Sequence, residues 1–181
     1  SLLWAQSYAQ GGIESGLVAK YCFTGNANDA LGVRNATVFG ATLTADRFGN
    51  PNAAYSLDGV NDYIQMPDAI WISGDFSFSG WLNFNNQSSW SRFFEWGNGI
   101  DKDNVFYCPY QSGQQVFTIH KCSSSARTYA YNASPVTTGA WIHVAITLSN
   151  DTVRVRLYAK FRAMRANQMS AEAWSLRQER C

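Results

Sequence analysis

Within one loop, GNANDALGVRN (25–35), the chain gathers Asn26, Asn28, Asp29 and Asn35. Four amide or carboxylate oxygens this close are the donor type of a calcium site, because Ca²⁺ takes six to eight oxygens from carboxylates, amides and backbone carbonyls. The same residues also suit an ion-free turn, in which Asn and Asp side chains bond nearby backbone N–H groups. A second oxygen-rich stretch, YSLDGVNDYIQMP (55–67), sets Asp58, Gly59, Asn61 and Asp62 between two apolar-aromatic runs. It reads as a strand–turn–strand unit, with a ligand role for Asp58 or Asp62 as the alternative.

Aromatic side chains are the other group able to do chemistry at a surface. Trp81, Trp90, Trp96 and Tyr110 are expected to bind ligand, with Tyr107, Tyr129 and Tyr131 also at outward or loop positions. Aromatic faces beside Asn and Asp suit sugars, through stacking and planar hydrogen bonds, and equally suit protein contacts. Catalysis finds little support. Glycoside hydrolysis needs two carboxylates a set distance apart. The chain has only Glu14, Glu95, Glu172 and Glu179, and Glu95 in FFEWGNG has no acidic neighbour in an E-x-D pattern. His120 and His143 fall in strand-like alternation and read as structural. G-x-S-x-G, P-loop and H-E-x-x-H motifs are missing, so no catalytic residue is expected and the chain reads as a non-enzyme.

The elements that must position these groups are strands. In DFSFSGWLNF, Phe76, Phe78, Gly80, Leu82 and Phe84 fall on one side, with Asp75, Ser77, Ser79, Trp81 and Asn83 on the other. In WIHVAITLS, Ile142, Val144, Ile146 and Leu148 alternate with Trp141, His143, Ala145 and Thr147. TVRVRLYA sets Val153, Val155, Leu157 and Ala159 against Arg154, Arg156 and Tyr158, and LVAKYCF aligns Leu17, Ala19, Tyr21 and Phe23. Period-two alternation of this kind marks strands with one buried face. Turn clusters at Ser149-Asn150-Asp151, WGNGIDKDN and YQSGQQ separate the runs. Strands recurring at short spacing, with no helical stretch before residue 160, predict an all-β fold: an antiparallel β-sandwich or jelly roll. The last residues differ. Ser170, followed by Ala171, Glu172 and Ala173, looks like a helix N-cap with an acidic first turn, and Met169, Ala173, Trp174 and Leu176 form an apolar stripe. The expected organisation is an N-terminal extension (1–13), a sandwich (14–159) and a basic C-terminal tail with a short helix (160–181).

At 181 residues, 46% apolar and 15% aromatic, the chain can bury one sizeable core. A net charge of +1 leaves no electrostatic footprint for nucleic acid, and no apolar run has the roughly 20 residues that span a bilayer. Neither nucleic acid nor membrane insertion is expected. Charged residues are only 15%, with Asn, Ser, Thr and Gly filling the balance, which suits a secreted or cell-surface β-protein. The opening SLLWAQSYA has Ser7 and Ala9 as small residues before a cut; it reads as a retained leader end or as a mature N-terminus cut further upstream. Four cysteines allow three pairings. Cys108 and Cys122 flank the turn-rich PYQSGQQ, where cross-strand neighbours would sit within disulfide range, leaving Cys22 for Cys181; four buried thiols are the alternative. Sequons at Asn35, Asn86, Asn132 and Asn150 mark glycan candidates, with Pro135 weakening the third.

The stretch GLVAKYCFTGNANDALG, followed by NATVFGATLTADRFGNPNAAYSLDGVNDYIQMPD, resembles the laminin-G-like, concanavalin A-like jelly-roll family. The run LT-DRFGN-N-AYS-DG-NDYI carries most of the likeness. DFSFSGWLNF is similar to that family's next strand and WIHVAITLSNDTVRVRLYA to its later Trp-His hairpin. The resemblance covers about 14–159 and implies a jelly-roll sandwich. It also implies a Ca²⁺ near the 25–35 loop, with Asp29 as a ligand beside Asn26 and Asn28. There are two departures. The chain runs from Ala159 into Lys160-Phe161-Arg162 where the family turns through Asn-Gly, so the sandwich is expected to be shortened. The family's glycine-rich loop is VRNAT here. A shortened sandwich leaves an edge for a partner. The leading functional expectation is a non-catalytic extracellular recognition or adhesion module for glycan or protein, with calcium as the implied cofactor. The alternative is a structural subunit of an extracellular filament or surface assembly, forming homo- or hetero-oligomers through the C-terminal tail. A glycosidase ranks last.

Overall fold

The computed structural model describes residues 16–68, 75–86, 88–97, 104–120, 127–132, 136–150 and 152–159. The expected N-terminal extension and C-terminal helix lie outside the described residues, and so does the tail proposed as an oligomer contact. Eleven strands and no helix occupy the described part, and every pairing is antiparallel. The chain divides into two compact units, Ser1–Ala69 and Ile70–Cys181, a division that falls inside the span expected to be one sandwich.

The first unit contains four three-residue strands: β1 (Thr37–Phe39), β2 (Thr42–Thr44), β3 (Ala54–Ser56) and β4 (Tyr63–Gln65). β1 pairs with β4 and β2 with β3. Phe39 stacks on Tyr63 across the first pair with ring centroids 4.6 Å apart. Gly40 follows at φ +76°, and a Cβ there would fall 1.8 Å from Asp62 Oδ1. Only glycine fits both that backbone and that carboxylate.

The second unit is a sandwich of two sheets. β5 (Phe76–Asn83), β10 (Trp141–Ser149) and β11 (Thr152–Ala159) form one sheet in the order β11-β10-β5. β6 (Phe94–Trp96), β7 (Val105–Gln111), β8 (Gln114–His120) and β9 (Arg127–Asn132) form the other in sequence order. The turns follow local chemistry. Ser112 (φ +50°) and Gly113 (φ +85°) make the β7–β8 turn, the pair of left-handed residues that tight hairpins require. Asn150 (φ +49°) opens the β10–β11 turn. There Asp75 accepts hydrogen bonds from Ser149 Oγ at 3.0 Å and Asn150 N at 3.1 Å.

Alternation selects the core. Val144, Ile146, Val153 and Val155 from one sheet meet Phe94, Tyr107, Phe117 and Ala130 from the other. Phe78 joins the layers, with its ring centroid 4.5 Å from Phe94, 5.1 Å from Phe93 and 5.3 Å from Trp96. Gly80 lies two residues along the same face, where a Cβ would come within 2.9 Å of the Phe93 ring. Tyr107 is fully buried and donates its hydroxyl to Gln115 Oε1 at 2.6 Å, so each buried polar group offsets the other's desolvation. Burial pushes the Tyr107 phenol far up, and it stays protonated.

Phe117→Ala is expected to lower the unfolding free energy by about 3–5 kcal/mol through the cavity it leaves. Tyr107→Phe, which removes one donor from a buried acceptor, is expected to cost about 1–3 kcal/mol. Urea denaturation of the full chain checks both values and their order.

Candidate functional site

The 25–35 loop is built around one carboxylate. Asp29, 4% exposed, accepts through Oδ1 from Lys20 N (2.9 Å) and Leu31 N (3.1 Å). Its Oδ2 accepts from Arg34 N (3.1 Å) and Val33 N (3.4 Å). Asn35 Oδ1 accepts from Asp29 N, and Asn26 Oδ1 accepts from Asn28 N. Tyr21 donates its hydroxyl to Arg34 O at 2.6 Å, closing the knot. A carboxylate has about four lone-pair sites, and backbone N–H groups occupy all four on Asp29. The donor set therefore does not fit a calcium ion as it stands. Asp29 and Asn26 hold the loop, and Asn28 is exposed. Among the described residues no group of three or more His, Cys, Asp or Glu side chains gathers at one place.

Asp58 and Asp62 behave in the same way. Asp58 Oδ1 accepts from Val60 N at 2.8 Å, Asn61 N at 3.2 Å and Asp62 N at 3.4 Å, while Asp62 Oδ2 accepts from Asp58 N at 2.9 Å. Gly59 supplies the left-handed residue at φ +76°. The backbone donors hold both Asp29 and Asp58 below the ordinary carboxylate range, led by Lys20 N for Asp29 and Val60 N for Asp58.

The aromatic candidates separate into three places. Trp96 belongs to the core, edge-on to Phe76 and Phe78; its alternation places it inward, which corrects the expectation of a ligand-facing ring. Tyr107 is buried for the same reason. Trp81 lies on the outer face of the three-stranded sheet against His143, ring centroids 5.2 Å apart. Trp90 and Tyr110 come together over the outer face of the four-stranded sheet, which also carries Tyr131, 53% exposed and opposite Val116.

This last face has the most constructed geometry. Phe106, Cys108 and Val116 form a small buried cluster on it, beneath an arm that runs from Ser88 to Arg92. Trp90 N donates to Tyr110 O at 3.2 Å, and Ser91 bridges to Tyr110. Ser91 N and Oγ both donate to Ser88 O, at 3.1 and 2.8 Å. Trp90 itself is left-handed (φ +69°) and 47% exposed. A bulky residue in that conformation costs about 1–3 kcal/mol and persists only where its surroundings fix it. Arg92 supplies the fixing: Nη1 donates to Trp90 O at 2.5 Å, and the guanidinium lies 4.0 Å over Phe106 and 5.4 Å from the Trp90 ring. Arg92 Nε approaches Glu95 Oε2 at 3.5 Å, and Asn104 Nδ2 donates to Glu95 Oε1 at 3.0 Å. Asn104 is buried, its Oδ1 lacks a partner, and a Cβ on Gly97 would fall 1.8 Å from that oxygen. An exposed indole thus stands beside a row of guanidinium, carboxylate and amide. Sequence reasoning missed Arg92 and Asn104. The Arg92/Glu95 spacing is visible in the sequence, but the contact of Asn104 with Glu95 is not.

Cys22 and Cys108 carry free thiols. The hairpin turns at Ser112-Gly113, so Cys108 faces Val116, and its thiol donates to Tyr110 O at 2.9 Å. The expected partners Cys122 and Cys181 lie outside the described residues. Of the sequons, Asn35, Asn86 and Asn150 are exposed. Asn132 pairs in register with buried Gln115 and shares the inward alternation of Ala130.

Asp29→Asn is expected to lower the thermal midpoint of the full chain at neutral pH. A depressed carboxylate stabilises above its unfolded pKa, and the effect is lost as pH falls through the lower folded value. The difference between wild type and variant should therefore be full near pH 7 and shrink below about pH 4; thermal scans across that range check it.

The concanavalin A-like lectin/glucanases superfamily model, Laminin G 3, matches residues 58–160. No curated protein and no solved structure matches the chain. The match covers more than half of the sequence and agrees with the antiparallel all-β architecture: the chain belongs to the concanavalin A-like lectin/glucanase superfamily.

Proposed function

We propose that this chain is a non-catalytic recognition module of the extracellular space, and that it binds a saccharide through the Trp90 face. The observation that carries the reading is the exposed indole, held on a left-handed backbone beside Arg92, which in turn approaches Glu95. A ring of this kind stacks on a sugar, and the exposed Arg92 guanidinium and Glu95 carboxylate offer donors and an acceptor to its hydroxyls. Glu95 offsets the charge of Arg92 within the same row, which favours an uncharged saccharide over an anionic one. The engaged oxygens of Asp29 favour calcium-independent binding. Low charge and three exposed sequons support an extracellular location.

Binding of neutral oligosaccharides on a glycan array, with and without EDTA, tests the reading. At least one is expected to bind, insensitive to EDTA, and Trp90→Ala is expected to weaken it by about tenfold or more. Unchanged binding by Trp90→Ala would remove the Trp90 face from the proposal. Binding only to an extracellular protein would make the module an adhesion domain.

One observation favours a second reading, a structural subunit. Val33, Phe48 and Val60 are 72%, 72% and 86% exposed in a unit whose buried apolar side chains, among the described residues, are Ala27 and Ala54. Such apolar exposure invites assembly. Light scattering would show an oligomer under this reading and a monomer under the first.

A further inference from the structure

The arm over the four-stranded sheet is fastened at both ends and lightly held between them. Before it, Phe84 O accepts from Gly139 N at 2.7 Å. After it, Phe93 N donates to Tyr107 O at 2.9 Å, and both phenylalanine rings pack on the core. Between these points Ser88–Arg92 contributes no buried side chain: Ser88, Ser89, Trp90 and Arg92 are exposed and Ser91 is half-buried. Its backbone reaches β7 at Tyr110, through Trp90 N at 3.2 Å and the Ser91 bridge. That part of β7 is irregular. The β7–β8 register shifts between Cys108 and Gln111, and Pro109, the buried residue before Tyr110, has no N–H to give.

Surface hydrogen bonds and the lack of a buried side chain mark a segment that opens well below the free energy of global unfolding. The left-handed backbone of Trp90 adds to this, because its strain is released when the arm lifts and offsets part of the bonds broken. One side chain opposes lifting. The Arg92 guanidinium donates to Trp90 O, which fixes the shape of the arm, and lies 4.0 Å over the Phe106 ring of β7. Its Nε approaches Glu95 of β6 at 3.5 Å. A charge-assisted hydrogen bond and a cation–π contact thus tie the arm to the sheet. Beneath it Phe106, Cys108 and Val116 are almost completely buried on the outer side of the sheet.

We propose that Ser88–Arg92 is a strap that opens as a unit while the sandwich of the second unit stays folded, with Arg92 as its latch. The closed state presents the surface around Trp90. The open state dismantles that surface and bares Phe106, Val116 and the Cys108 thiol. One face of a sheet thereby changes from polar to apolar with no change in the core. The inference stands on the geometry of the strap and not on what the Trp90 face binds.

Iodoacetamide labelling of the full chain, read by peptide mass mapping at urea concentrations below the unfolding transition, tests the proposal. Cys108 reports opening, and exposed Cys22 gives the reference rate. Cys108 is expected to label at least about tenfold more slowly than Cys22, at a rate nearly independent of urea, whereas access through global unfolding rises steeply with urea. Arg92→Ala is expected to speed Cys108 labelling by about tenfold or more, and Arg92→Lys, which keeps the charge without the flat fork, to fall between. Amide exchange at Trp90 N, followed by NMR, should speed by the same factor in Arg92→Ala; mere uncovering of the sulfur would leave it unchanged. Ile146→Val, in the core on the opposite sheet, is expected to raise the unfolding constant by about fivefold and to leave Cys108 labelling as in wild type. The proposal is overturned by any of four results: Cys108 labels as fast as Cys22, its rate follows urea with the slope of global unfolding, Ile146→Val speeds it as much as it raises the unfolding constant, or Arg92→Ala leaves labelling or Trp90 exchange unchanged.

Discussion

Phe78 meets three rings from the opposite layer: Phe93, Phe94 and Trp96. That contact sets the two sheets of the second unit face to face, and much else follows from it. Because Phe78 points inward, Ser77, Ser79 and Trp81 must point outward. Because Phe94 and Trp96 point inward, Glu95 must stand on the opposite face, within reach of Arg92 and Asn104. The side-chain period of a strand leaves no other arrangement. Gly80 belongs to the same constraint, since it gives Phe93 room to approach.

One packed interior therefore presents two outer faces of different character. On the four-stranded sheet, an arm folds back over Phe106, Cys108 and Val116 and makes a charge-balanced surface around Trp90. On the three-stranded sheet the outward alternation presents Ser77, Ser79 and Arg156 to solvent. In the first unit, carboxylates are spent on loops. Asp29 and Asp58 gather backbone N–H groups that short strands leave unpaired, as buried or turning backbone demands.

Strand alternation made the sandwich legible in the sequence. Val144, Ile146, Val153 and Val155 are buried where the pattern puts them, and the hairpin at Ser149-Asn150 falls on its turn signal. The sites were legible only in part. Trp96 was misread because FFEWGN is too short to reveal which side of the strand faces in. Asp29 was marked as important for its oxygens, but composition does not say whether those oxygens meet a cation or N–H groups. The neighbour of Cys108 across its hairpin depends on where the chain turns, and with the turn at Ser112-Gly113 that neighbour is Val116. Asn104 meets Glu95 from nine residues further along the chain, a contact that no local pattern encodes.

The left-handed backbone at Trp90 has an evolutionary consequence. Glycine or asparagine would relax that conformation, so drift towards a more stable chain runs through loss of the indole. Stability and surface chemistry pull against each other at this single position, as strained functional positions commonly do. A lineage that keeps an aromatic ring there accepts a standing conformational handicap, and one that no longer uses the face is free to discard it.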